Sequence, residues 1–114
     1  MLIYKEQLPI DTIIPEFCEL PFSTVKELKE HVLKVDVQYE NPVMWYQADN
    51  DSDGTIGEKH KFLIVGIGTG HPHIDDESRK LLNMDSYIGT ASLDGGSLIL
   101  HYFAIPKTDA EDND

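Results

Sequence analysis

The sequence is poor in the features that most often announce a function. It has one cysteine, Cys18, in 114 residues, so no intramolecular disulfide can form and nothing favours an oxidising compartment. Cys18 lies in an apolar, acidic run that disfavours a thiolate, which removes it as a nucleophile. No apolar stretch approaches the roughly 18 residues of a membrane span, and in the opening Met1-Leu2-Ile3-Tyr4-Lys5-Glu6-Gln7 charges interrupt the apolar run too early for a signal peptide. The expectation is a cytoplasmic protein with no membrane partner. Basic side chains are also scarce, with 9 Lys and Arg against 21 Asp and Glu, a formal net charge of −12. Such a surface repels phosphate backbones and excludes direct nucleic-acid binding. No serine sits in a nucleophile-elbow pattern. Gly66, Gly68 and Gly70 follow a strand-like run but lack the dinucleotide spacing, and Pro72 falls where the helix should begin. Those glycines read instead as a bulge and a tight exit from a strand.

What is present suffices for one folded unit. Hydrophobic residues make up 40% and charged residues 26%, a globular balance at a length that suits one domain. The domain is expected over 1–106, followed by an acidic, disordered tail over 107–114 that carries Asp109, Glu111, Asp112 and Asp114. Residues 2–8 and 12–20 are β-prone runs that can pair, the second pushed toward an edge or a bulge by Pro15. Thr24 with Glu27 forms a capping-box pattern, and Val25, Leu28, Val32 and Leu33 recur at helical spacing, predicting a helix over 24–32.

The period then switches to two. Leu33, Val35, Val37 and Tyr39 alternate with Lys34, Asp36 and Gln38, a strand with one buried face, and a turn at Glu40-Asn41-Pro42 returns the chain into the aromatic strand 43–48. Residues 61–67 are apolar on both faces, as in a central strand. The stretch 68–85 is irregular, with a helical turn expected at 77–82 capped by Asp75 or Asp76. Strands 87–93 and 97–105 meet through Asp94-Gly95-Gly96 as a hairpin. The fold class predicted is mainly β (α+β): an antiparallel sheet curled into a roll or small sandwich of six or seven strands with one packed helix.

Three groups of residues bear on chemistry. Asp49, Asp51 and Asp53 with Gly54 match the opening of a calcium loop, but His60 stands at the twelfth position where a bidentate glutamate belongs, and Glu58 substitutes only in another geometry. No cofactor is expected, and calcium binding would be weak. His71, His73, Asp75 and Asp76 crowd two imidazoles and two carboxylates into one segment, a weak metal candidate without the further ligands that a metallo-hydrolase draws from distant segments. His101 alternates with Ile99 and Phe103 and reads as a packed, hydrogen-bonded histidine. Trp45 and Tyr46 point to opposite faces of one strand, so one is core and the other can anchor a partner.

Gly68-Thr69-Gly70-His71-Pro72, then Tyr87-Ile88-Gly89-Thr90, then Gly95-Gly96 leading to His101-Tyr102-Phe103 form an ordered series of motifs. In these the chain resembles a family of short, uncharacterised proteins frequent in tailed phages and prophages, over roughly residues 33–104. The resemblance implies a host-cell context and gives no activity to carry over. The helix, the 49–58 loop, the residues around 77–84 and the acidic tail depart from it.

The expectation is a small accessory protein, not an enzyme, that binds a host or phage protein with a basic surface, as an acidic mimic that inhibits a nucleic-acid-binding protein. Its candidate contact residues are Trp45, Tyr46, Asp49, Asp51, Asp53, Glu58, Asp75, Asp76 and Glu77. A second copy of the chain is an allowed partner. The alternatives are a metal-binding or hydrolytic protein using the 49–58 loop or the 71–76 segment, and a virion or assembly component.

Overall fold

The structure is a computed structural model that describes residues 2–10, 16–48, 58–68 and 76–106. Among the described residues seven strands form two antiparallel sheets with a helix against them. The strands are β1 (Leu2–Gln7), β2 (Glu16–Leu20), β3 (Val32–Gln38), β4 (Asn41–Ala48), β5 (His60–Ile67), β6 (Tyr87–Leu93) and β7 (Leu98–Pro106), with helix α1 (Val25–His31) before β3 and the single turn α2 (Asp76–Arg79) before β6. One sheet runs β1-β4-β3 and the other β2-β5-β7-β6. This is the mainly β, two-layer architecture that the alternation and turn signals predict. The 107–114 tail lies outside the described residues.

The two N-terminal runs do not pair with each other. β1 pairs with β4 and β2 with β5, so they are edge strands of different sheets. Neither run has a side-chain pattern strong enough to choose its neighbour; the long apolar strands β4 and β5 recruit them. β5 is central, between β2 and β7, as its double-faced apolar run requires.

Thr24 caps α1: its Oγ1 accepts from the Glu27 amide at 3.1 Å, while the Glu27 carboxylate accepts from the amide of Ser23, one residue before the cap, at 2.8 Å. The helix stops at His31 because Val32 adopts extended geometry and begins β3. A register shift between Val32 and Lys34 then displaces Leu33, which is 52% exposed instead of sharing the half-buried inward face of Val35 and Val37. Tyr39 also leaves the predicted face. The turn is the two-residue loop Tyr39-Glu40, both at positive φ (52° and 66°), which leaves Tyr39 88% exposed and puts Asn41 and Pro42 inside β4.

The core lies between the sheets. Met44, Tyr46 and Ala48 from one sheet face Phe62, Ile64, Leu100, Tyr102 and Ala104 from the other, and Leu28 of α1 and Phe22 close the cluster. Where β3 lies beside β6, a Cβ on Gly89 would stand 2.5 Å from Val35 Cγ2, so only glycine lets the two strands approach. Gly66 marks no bulge, since β5 pairs with β7 in continuous register; the Tyr102 ring lies against it, 2.9 Å from where its Cβ would be. Leu81 and Leu82, after α2, cover Leu63, Val65 and Ile105 on the outer face of the four-stranded sheet.

Candidate binding surface

Directly opposite residues of an antiparallel pair share a face. Trp45 is opposite Lys5 on β1 and Lys34 on β3, so the three side chains form one row on the outward face of the three-stranded sheet. Lys5 lies back across β4, its Nζ donating to Gln38 Oε1 at 2.9 Å. Lys34 pairs with Asp36 at 3.0 Å, and the Val37 amide, with Lys34 as the second influence, holds the Asp36 carboxyl below its usual range. Trp45 is half-buried among them, with Ile3 on the same face 61% exposed. The face therefore offers an indole between two lysine stems, with an apolar side chain beside it. Asp36 neutralises Lys34, and Lys5 leaves the row one net positive charge.

The other predicted contact residues separate. Tyr46 points inward, as the period of two requires once Trp45 faces out, and is core: it stacks on Tyr4 at 5.7 Å and meets Phe22 edge-on at 5.6 Å. Burial, with Glu6 second, pushes its phenol up to about 12. Tyr46 is thus withdrawn as a contact residue. Asp76 and Glu77 are exposed on α2, but Arg79 (3.4 Å) and Lys80 (3.2 Å) stand one turn on and neutralise them locally. Asp76 is the first helical residue instead of the cap, and the helix ends at Arg79, short of the predicted 82. Glu58 is exposed just before β5. Asp49, Asp51, Asp53, His71, His73 and Asp75 lie outside the described residues. Among the described residues no group of three or more His, Cys, Asp or Glu is placed to hold a metal ion. These residues carry 12 acidic and 8 basic side chains, a net −4 of the chain's −12.

One constellation escaped the sequence reading. A register shift between Tyr87 and Gly89 puts one extra residue, Ile88, into β6, so Tyr87 and Thr90 share a face although three positions apart. The Tyr87 hydroxyl hydrogen-bonds to Thr90 Oγ1, which is 2.9 Å from His101 Nδ1. The Tyr87 ring meets Phe103 edge-on at 5.6 Å. His101 does share the face of Ile99 and Phe103, but it is exposed instead of packed, because the cover supplied by Leu81 and Leu82 lies over Leu63, Val65 and Ile105. The glycine inside a strand-like Tyr-Ile-Gly-Thr run is the signal that could have revealed this bulge.

Burial shifts two groups between the sheets toward their neutral forms. Glu6 points inward from β1, opposite Met44; desolvation raises its carboxyl, with Lys59 opposing. Burial, with Glu6 second, pushes the Cys18 thiol up to about 12, which leaves it without nucleophilic character at neutral pH. A cavity of about 180 Å³ opens between α1 and the segment before β6, lined by Val25, Leu81, Asn83, Ser86, Ile105 and Pro106. Lys29 Nζ donates to the Met84 carbonyl at 2.7 Å and so ties α1 to the same segment.

The family model described as Domain of unknown function (DUF7352) matches residues 1–113. The chain belongs to that family. No curated protein and no solved structure matches it. Among the described residues no helix is long and apolar enough to cross a membrane.

Proposed function

We propose that this member of the DUF7352 family is a non-catalytic protein-binding module, and that its partner docks on the outward face of the three-stranded sheet around Trp45. The observation that carries the reading is the half-buried indole between Lys5 and Lys34 on a solvent-facing sheet. Buried tryptophan anchors dominate binding energy in protein interfaces, and the Lys5 charge beside it favours a partner segment that is apolar at its centre and carries an acidic group at its rim. The thiol of Cys18 is suppressed, and the hydroxyl–imidazole chain of Tyr87, Thr90 and His101 lies on an open sheet face. Both support a binding role over a catalytic one. The phage-type motifs fit a small accessory protein in the cytoplasm of a host cell.

A second reading, the acidic mimic, has one observation in its favour: eight of the twelve net negative charges lie on segments outside the described residues, chiefly 49–53 and 109–114. In that reading those segments grip a basic patch on a protein that handles nucleic acid. Capture from host lysate separates the two. The Trp45 reading expects the partner to be lost with Trp45→Ala in a folded protein and kept when Asp49, Asp51 and Asp53 are changed to Asn. The reverse pattern replaces it with the mimic.

A further inference from the structure

The four edge strands of the two sheets are not equally guarded. β3 and β6 carry register shifts and lie beside each other. β2 carries Glu16 and Glu19 along its short length. β1 pairs with β4 in unbroken register over all six residues and exposes Leu2 (47%) and Ile3 (61%). Among the described residues no strand covers its outer edge. A regular, apolar, uncovered edge is a template for another strand.

Its hydrogen-bonding pattern follows from one bond. The Leu8 amide donates to the Pro42 carbonyl at 2.9 Å, so the even-numbered residues of β1 turn their amides and carbonyls toward β4, and Ile3, Lys5 and Gln7 turn theirs to the free edge. Lysine on an edge ordinarily protects it. Lys5 does not, because its ammonium is drawn back over the sheet to Gln38.

We infer that β1 pairs antiparallel with β1 of a second copy of this chain, joining two three-stranded sheets into one six-stranded sheet. This goes beyond the partner reading and does not rest on it. Charge selects the register. A two-fold axis through Lys5 sets Lys5 opposite Lys5, and one through Glu6 sets Glu6 opposite Glu6, both repulsive. An axis through Ile3 engages little more than three residues of each strand. An axis through Tyr4 sets Ile3 opposite Lys5 and Leu2 opposite Glu6, with no like charges opposed. In that register the free groups of Ile3 and Lys5 meet as hydrogen-bonded pairs. The two Tyr4 rings, each stacked on Tyr46, become neighbours in the close, non-hydrogen-bonded position, which favours aromatic pairs. The ladder is short against the roughly 1,600 Å² of a standard interface, so the dimer forms at high concentration.

Sedimentation equilibrium of the full chain up to about 1 mM tests this, with amide hydrogen exchange on the same samples. The wild type should dimerise, and the Ile3 and Lys5 amides should gain protection as it does. Ile3→Pro removes an amide that β4 does not use, so it should leave the fold intact and abolish the dimer. Ile3→Glu and Ile3→Lys should differ by roughly tenfold in dimer affinity in favour of Glu, through two symmetric contacts with Lys5. A nonspecific effect of net charge predicts the opposite order. A chain that stays monomeric throughout, a dimer that survives Ile3→Pro in a folded protein, or a tighter dimer with Lys overturns the inference.

Discussion

The phenol hydroxyl of Tyr102 donates to the Pro9 carbonyl across 2.6 Å, joining the middle of the four-stranded sheet to the segment that follows β1 in the other. The bond is buried, and desolvation raises the phenol above its usual range, which keeps it a donor at neutral pH. Tyr102→Phe removes that donor and leaves the carbonyl dry and unpaired, at a cost of about 1–3 kcal/mol. Urea unfolding measures the loss; unchanged stability would show that the bond does not tie the sheets.

Gly89 of β6 and Val35 of β3 meet where the two edge strands lie side by side. Gly89→Ala places a methyl 2.5 Å from Val35 Cγ2, and overpacking of this kind costs about 1–3 kcal/mol. Val35→Gly in the same chain, which removes Cγ2 and also the Cβ at 2.6 Å, should make Gly89→Ala cost less than it does alone. Additive losses in the double variant would place the strain elsewhere.

Raised to about 12 from an ordinary 9.0, the Cys18 thiol holds roughly a thousandfold less thiolate than a free cysteine at the same pH. Iodoacetamide at mildly alkaline pH should therefore label it slowly in the folded protein and readily in denaturant. Equal rates in the two states would contradict the burial assigned to it.

Glu6 gives the fold a pH dependence. Its folded carboxyl sits above the ordinary value of 4.5, so its contribution to stability is complete below that value and is lost as pH rises through the raised one. Glu6→Gln should melt close to the wild type under acid conditions and increasingly above it toward neutral pH. A gap that shrinks as pH rises would reverse the assignment.

Much of this architecture was legible because it rests on local chemistry. The Thr24 cap, the apolar run of β5 and the glycines between β6 and β7 each specify their element without distant information. Pairing of β1 and β2 was not legible, since the partner of an edge strand is set by which long strand has a free side. Leu33 and Tyr39 were misplaced for a related reason: a bulge and a two-residue turn break the period of two at the ends of β3. The opposed faces of Trp45 and Tyr46 could be read from the sequence, but which faced out depended on the side from which the second sheet packs. Tyr87, Thr90 and His101 meet only through the extra residue at 88, which strict alternation forbids.

Trp45 is the sole tryptophan of the chain, so its emission tests the proposed docking face without a label. During titration with the captured partner the emission should shift to the blue and gain protection from acrylamide as the indole leaves water, with an affinity that falls only modestly as salt rises, because the contact is apolar at its centre and charged only at its rim. An emission spectrum that stays unchanged at saturation, with an affinity that collapses in salt, would contradict it.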